Sequence, residues 1–251
     1  MCEPAKTTTS RLRRTAASSR RKEGYAYLNA LFFARHRRLI NQPVYKRMAL
    51  IGGLTATGAA FVLFFPQWAG GLHGEALFPY MPIALYFLST GERACRAMFY
   101  NCDLSLLRYS FYRNAAGRHF RIRLLRIAAL NLAVAAAFGI GSAIVIAAAG
   151  RTVWSAELLL LWIYALALSV FFSVHHLFMY YIFQPYSTEL NSKNPLYHAT
   201  NTLVSLVCGI SIAVRAAAPA YTAAALLLAL AYLGIALVLV PKLGRRTFRV
   251  K

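Results

Sequence analysis

Acidic side chains are scarce in this chain: its 251 residues include seven Asp and Glu against 28 Lys and Arg. So few carboxylates exclude the acidic cluster that metal-dependent phosphotransfer in a membrane would need. Also missing are the GxxxxGK(S/T) loop that cradles nucleotide phosphates, the HExxH helix of zinc proteases and the GxSxG turn of serine hydrolases. The chain is therefore read as a non-enzyme with no ATPase site of its own and no cofactor. Cysteine is sparse as well. Cys2, Cys95, Cys102 and Cys208 fall in cytoplasmic or membrane positions, so no disulfide is expected. Cys95 and Cys102 have no His beside them, which leaves no zinc spacing.

What the chain has is apolar length. Hydrophobic residues make up 59% and the mean hydropathy is +0.50, too apolar for the surface of a soluble domain. The net charge of +21 would suit a nucleic-acid binder, but the basic residues cluster at the ends of long apolar runs, which is a membrane pattern. Six runs, near 48–67, 77–91, 127–149, 156–183, 199–217 and 219–240, approach the roughly 20 residues that cross ~30 Å of hydrocarbon. The second is short and carries Pro79 and Pro82, so it is either extended past Glu92 or broken. A break at membrane depth must be covered by protein or water.

Of the 28 basic residues, 26 lie in 1–47, 92–126, 184–198 and 241–251; the alternate connections hold Arg151 and Arg215 alone. The positive-inside rule then places both termini in the cytoplasm and predicts an all-α, six-span, multi-pass protein of the cell (inner) membrane. Residues 1–23 read as a disordered basic cytoplasmic tail, since no apolar core of about 7–15 residues marks a secretory signal. Residues 24–47 read as an interfacial amphipathic helix, with Tyr25, Leu28, Phe32 and Leu39 on one face and Arg35, Arg37 and Arg38 on its flank. Residues 48–240 form the expected transmembrane domain, and 241–251 a second basic cytoplasmic tail. Ala133, Ala137 and Gly141 recur every fourth residue, a spacing that lets another helix approach closely. The expected external loops are too short to build a domain, so activity belongs to the bundle or the cytoplasmic face.

Three features bear on function. His175 and His176 lie inside the fourth expected span and His198 at the start of the fifth. Imidazoles at such depth are costly and often functional, but neighbours on one helix point ~100° apart, which suits interhelical hydrogen bonds or a polar pathway better than axial haem ligation. Glu92 is a further candidate for such a polar position. The second feature is the cytoplasmic segment 92–126. There Leu104, Leu107, Phe111 and Tyr112 recur at helical spacing, with Asp103, Arg108 and Arg113 available to a partner. The third is the hairpin 184–198, bracketed by Gln184-Pro185 and Asn194-Pro195, in which Glu189 and Lys193 are four apart and pair if the turn is helical.

The stretch GERACRAMFYNCDLSLLRYSFYR at 91–113, followed by YYIFQPYSTELNSKNPLYHATN at 180–201, resembles the membrane subunit of bacterial ATP-binding-cassette exporters of the type-2 permease class. The likeness is strongest to exporter permeases of Gram-positive bacteria. In that class the loop after the second span carries a coupling helix that docks on a separate ATPase subunit. The resemblance implies that role for Asp103, Leu107, Arg108, Tyr109 and Tyr112. Relatives often join two such halves in one chain; this chain has one, so a second permease copy or homologue is expected beside the ATPase and the lipid. Two alternatives stay open: a non-transporting membrane scaffold, and a haem or metal protein using His175, His176 and His198.

Overall fold

The computed structural model describes residues 23–67, 74–150, 155–187, 194–214 and 216–249. The tail up to residue 22, Arg151, Arg215 and the expected Glu189–Lys193 pair lie outside the described residues. Nine α-helices follow in order among them: α1 Gly24–Arg35, α2 Arg37–Phe64, α3 Met81–Leu88, α4 Gly91–Met98, α5 Ser110–Asn114, α6 Ala116–Ala148, α7 Ala156–Phe183, α8 Pro195–Ile210 and α9 Ala218–Thr247. A 3₁₀ turn, Gly74–Tyr80, leads into α3; a π turn, Phe99–Asp103, and a single α turn, Leu104–Leu106, connect α4 to α5.

Four helices, α2, α6, α7 and α9, are long and apolar enough to cross a membrane. Two helices, α7 and α8, start at side-chain caps. Ser155 Oγ accepts the Leu158 N–H at 3.2 Å to open α7, and Asn194 Oδ1 accepts that of Leu196 at 3.1 Å, with Pro195 at the first position of α8. The expected interfacial helix 24–47 is divided differently. The break falls at His36, and residues 37–47 run unbroken into the apolar part of α2, Pro43 included.

The other two expected spans are shorter. The sixteen residues of α8 rise ~24 Å. The run around 77–91 is broken at Ser89, whose extended backbone ends α3. The protein covers the groups this break frees. Arg47 Nη2 donates to Ser89 O at 2.7 Å and Phe87 O at 3.5 Å, while Asn131 Oδ1 accepts the Thr90 N–H at 2.9 Å and its hydroxyl at 2.7 Å. At the other end Ser211 Oγ donates to Pro79 O at 2.7 Å. Unsatisfied backbone in hydrocarbon would cost several kcal/mol per group, so these side chains make the break tenable.

Helix α7 is the central pillar: 61% of its most apolar window is buried, against 11% for α2. It packs mainly on α9 and α6, and α2 lies against α6. One apolar core gathers Phe99, Phe120, Tyr180, Tyr181 and Phe248; another gathers Phe78, Met81, Leu161 and Phe172. Along α6 and α7 a polar layer separates them, where Asn131 Nδ2 donates to Ser173 Oγ at 2.9 Å. Lipid is as apolar as these side chains, so close packing and hydrogen bonds, not water expulsion, hold the helices together. Small residues serve that packing. A Cβ on Gly139 would sit 2.9 Å from Trp162 of α7, and one on Gly141 would collide with Thr55 of α2. Gly141, the last of the expected small-residue series, is thus where α2 meets α6.

Candidate functional site

The site begins at the end of the π turn, which delivers Asp103 into the interior with no exposed surface. Its partner is Arg123, one turn beyond His119 on α6 and equally buried. The guanidinium grips the carboxylate with two prongs, Nη1 to Oδ2 at 2.6 Å and Nη2 to Oδ1 at 2.7 Å. Two phenols complete the carboxylate: Tyr112 of α5 donates to Oδ1 at 2.6 Å and Tyr180 of α7 to Oδ2 at 2.5 Å. The remaining guanidinium protons go to Tyr112 Oη at 2.9 Å, Tyr181 Oη at 3.1 Å and Asn29 Oδ1 at 2.8 Å. All five guanidinium donors and four carboxylate acceptor sites are therefore used.

Because Arg123 fixes the oxygen of Asn29, the Asn29 amide nitrogen is the donor to His119 Nδ1 at 2.8 Å and to Tyr25 O at 2.8 Å. His119 accordingly carries its proton on Nε2, which is buried and has no partner. Burial alone would raise the Asp103 carboxyl. The Arg123 charge and the hydrogen bonds from Arg123, Tyr112 and Tyr180 outweigh it and hold the group below the ordinary carboxylate range. Burial pushes the Tyr112 phenol up, keeping it a donor, and pushes the Cys102 thiol up to about 11.

Taking two ions out of water costs several kcal/mol each, which only a saturated geometry offsets. The network thus ties five elements to one point: α1 through Asn29, the π turn through Asp103, α5 through Tyr112, α6 through Arg123 and α7 through its tyrosine pair. Phe248 at the end of α9 stacks on Tyr181 with ring centroids 4.5 Å apart.

This geometry divides the residues expected to meet an ATPase. Asp103, Leu107 and Tyr112 are buried, so they face the bundle and not a partner. Arg108 and Tyr109 are exposed, and Phe111, 56% exposed, joins them. Tyr109 is 55% exposed and its ring lies 5.7 Å from that of Phe111. The segment is a knuckle. Leu107 and Tyr112 point inward at its two ends, and Arg108, Tyr109, Ser110 and Phe111 stand outside between them.

The histidines lie elsewhere. His175 Nε2 donates to Asn201 Oδ1 of α8 at 3.0 Å, and its Nδ1 accepts from Tyr232 of α9 at 3.1 Å. His176 packs under Gly91, where a Cβ would come within 2.8 Å of the ring, and His198 is exposed on α8. Glu92 is exposed on the first turn of α4, and its carbonyl accepts from Tyr186 at 3.2 Å. No three His, Cys, Asp or Glu converge as a metal set among the described residues.

Sequence reading missed Arg123, Asn29, His119, Tyr180 and Tyr181. A signal existed for one of them: Phe120, Arg123, Leu124 and Ile127 fall on one helical face, so Arg123 occupies an apolar register where a charge requires a buried partner. No protein-family model, curated protein or solved structure matches this chain.

Proposed function

We propose that the chain is the permease subunit of an ATP-binding-cassette exporter, six-spanning with both ends in the cytoplasm, and that a separate ATPase docks on the Arg108–Phe111 knuckle. The observation that carries this reading is a rigid base under an exposed aromatic and cationic tip. Interfaces concentrate their energy in Tyr, Trp and Arg anchors, and anchors held in place by a buried network lose little entropy on binding. The ionic cluster supplies that base, and through Asn29, Arg123 and the Tyr180–Tyr181 pair it joins the knuckle to three helices, α1, α6 and α7. A push on the tip is thereby passed to the helices that would move.

A second copy or a homologous permease completes the pathway in this reading. Its support is the open groove of about 690 Å³ between α3 and α8, where His198, Asn201, Thr202 and Ser205 present a polar stripe beside Tyr86. The scarcity of charge inside the spans favours an amphipathic cargo over a small ion.

The test is association with an ATPase co-expressed from the same source. Arg108→Ala with Tyr109→Ala is expected to weaken it more than tenfold, since ~1.4 kcal/mol is a decade and each anchor is worth ~2 kcal/mol or more. Insertion and expression stay near those of the parent because neither side chain is buried. An ATPase that binds parent and variant equally well would defeat the docking site. A purified chain that pairs with no such ATPase would defeat the permease reading itself.

A further inference from the structure

A different surface carries an inference that does not depend on the transport reading. Helices α2 and α4 lie side by side and enclose an open cavity of about 560 Å³, within the roughly 300–1,000 Å³ typical of small-ligand sites. From α2 it receives Leu39, Gln42, Pro43 and Lys46; from α4 and the turn after it, Arg93, Arg96, Ala97, Tyr100 and Asn101. The α2 residues are spaced three and four apart, so one helical face supplies them, and the α4 contributors Arg93, Arg96 and Ala97 follow the same rule. Three cations and two carboxamides line the space, with no carboxylate among the described lining residues. The cavity is therefore built for an anion that also accepts hydrogen bonds.

Its depth identifies the source of that anion. Lys46 is the last lining residue of α2 before Arg47, and from Met48 onward the helix is apolar as far as Phe64. The cavity thus sits where α2 leaves the hydrocarbon, at the level of phospholipid headgroups. Farther along α2, an apolar groove of about 380 Å³ is lined by Ile51, Leu54 and Thr55, with Leu88 of α3 and Phe138 of α6 across from them. Five residues separate Lys46 from Ile51, ~7.5 Å along the axis. A charged cavity at the interface, with an apolar groove farther along the next face of the same helix, matches a molecule with an anionic head and an acyl chain that curves round α2. Basic pockets between membrane helices are known to take such headgroups.

The geometry points to a specific site for an anionic phospholipid, its phosphodiester held by Lys46 and Arg93 and its acyl chain leaving toward the α2–α3–α6 groove. The site is distinct from the Arg108–Phe111 knuckle, so losing one leaves the other testable.

The experiment titrates the purified full chain in mild detergent with short-chain phosphatidylglycerol and counts bound lipid by native mass spectrometry. One saturable lipid is expected. Lys46→Gln with Arg93→Gln should weaken it at least tenfold, whereas Arg37→Gln with Arg38→Gln, equal in charge removed, should leave it within about twofold. Equal losses in the two pairs would mean diffuse attraction to a basic protein and overturn the site. Phosphatidylcholine of the same chain length should bind at least tenfold more weakly, and equal binding would overturn the headgroup assignment. Soluble glycerol phosphate should compete only at far higher concentration; competition at equal concentration would make this a site for a free anion. If the cavity variant does not stay folded, the three-ligand comparison on the parent protein decides the question.

Discussion

Replacing Arg123 by Met while leaving Asp103 in place should unfold this bundle far more readily than any surface change. The substitution removes five hydrogen bonds and leaves a buried carboxylate facing Tyr112 and Tyr180 alone. Breaking one side of a buried pair costs ~3–5 kcal/mol, because the remaining ion has neither water nor partner. A chain of this size loses about 2–4 °C per kcal/mol, so thermal unfolding in mild detergent should fall by on the order of 10 °C. Arg121→Met is the matched control: same helix, same charge removed, side chain exposed. The double variant Asp103→Leu with Arg123→Met should be no worse than the single one, since the uncompensated ion is gone. Protease access to residues 104–111 should rise in the Arg123 variant before global unfolding. If Arg123→Met and Arg121→Met shift the midpoint equally, the cluster is not what holds the knuckle and the reasoning fails.

Other outcomes follow from the same packing. Gly91→Ala brings a Cβ within 2.8 Å of His176 and should cost about 1–3 kcal/mol, whereas Gly52→Ala, with nothing within 4 Å, should be neutral in a parallel melt. Asp103 has its pKa lowered in the folded state, so its tie is complete above the unfolded-state value of ~3.9 and weakens as pH falls below it. The parent should therefore keep its midpoint from neutral pH down to about 5 and lose it on further acidification, and Asp103→Asn should flatten that acid limb. Cysteines placed at Asn114 and Ser155, at opposite ends of α6–α7, should label from opposite sides of the membrane, with Asn114 cytoplasmic; labelling from one side would break the topology.

Much of the architecture is legible in the apolar runs. The runs near 127–149, 156–183 and 219–240 became α6, α7 and α9; α7 keeps the bounds of its run, while α6 at its start and α9 at its end are extended by polar turns that hydropathy does not count. The run at 77–91 announced its break through Pro79 and Pro82, and Ser89 is where the helix ends. The interfacial helix was misdivided because hydropathy starts the span at Met48, whereas the chain breaks at His36 and residues 37–47, Pro43 included, continue into α2. At the site, composition singled out the segment but not which of its side chains turn inward. Asp103, read as a lone acid open to a partner, is instead claimed by Arg123 twenty residues on. Spacing within one segment cannot reveal that, because the acceptor count closes only when Asn29, Tyr180 and Tyr181 arrive from other helices.

The ionic cluster also has a history in time. Asn29, Asp103, Tyr112, His119 and Arg123 precede α7 in the chain, so the salt bridge and five other hydrogen bonds of the cluster need none of α7. Tyr180 and Tyr181 come later and supply the last two links to the pair. Without them Asp103 Oδ2 would lack one donor and Arg123 Nη1 one acceptor. The central pillar therefore closes the last open donor and acceptor of the pair, and a bundle without α7 docked would leave that pair incomplete.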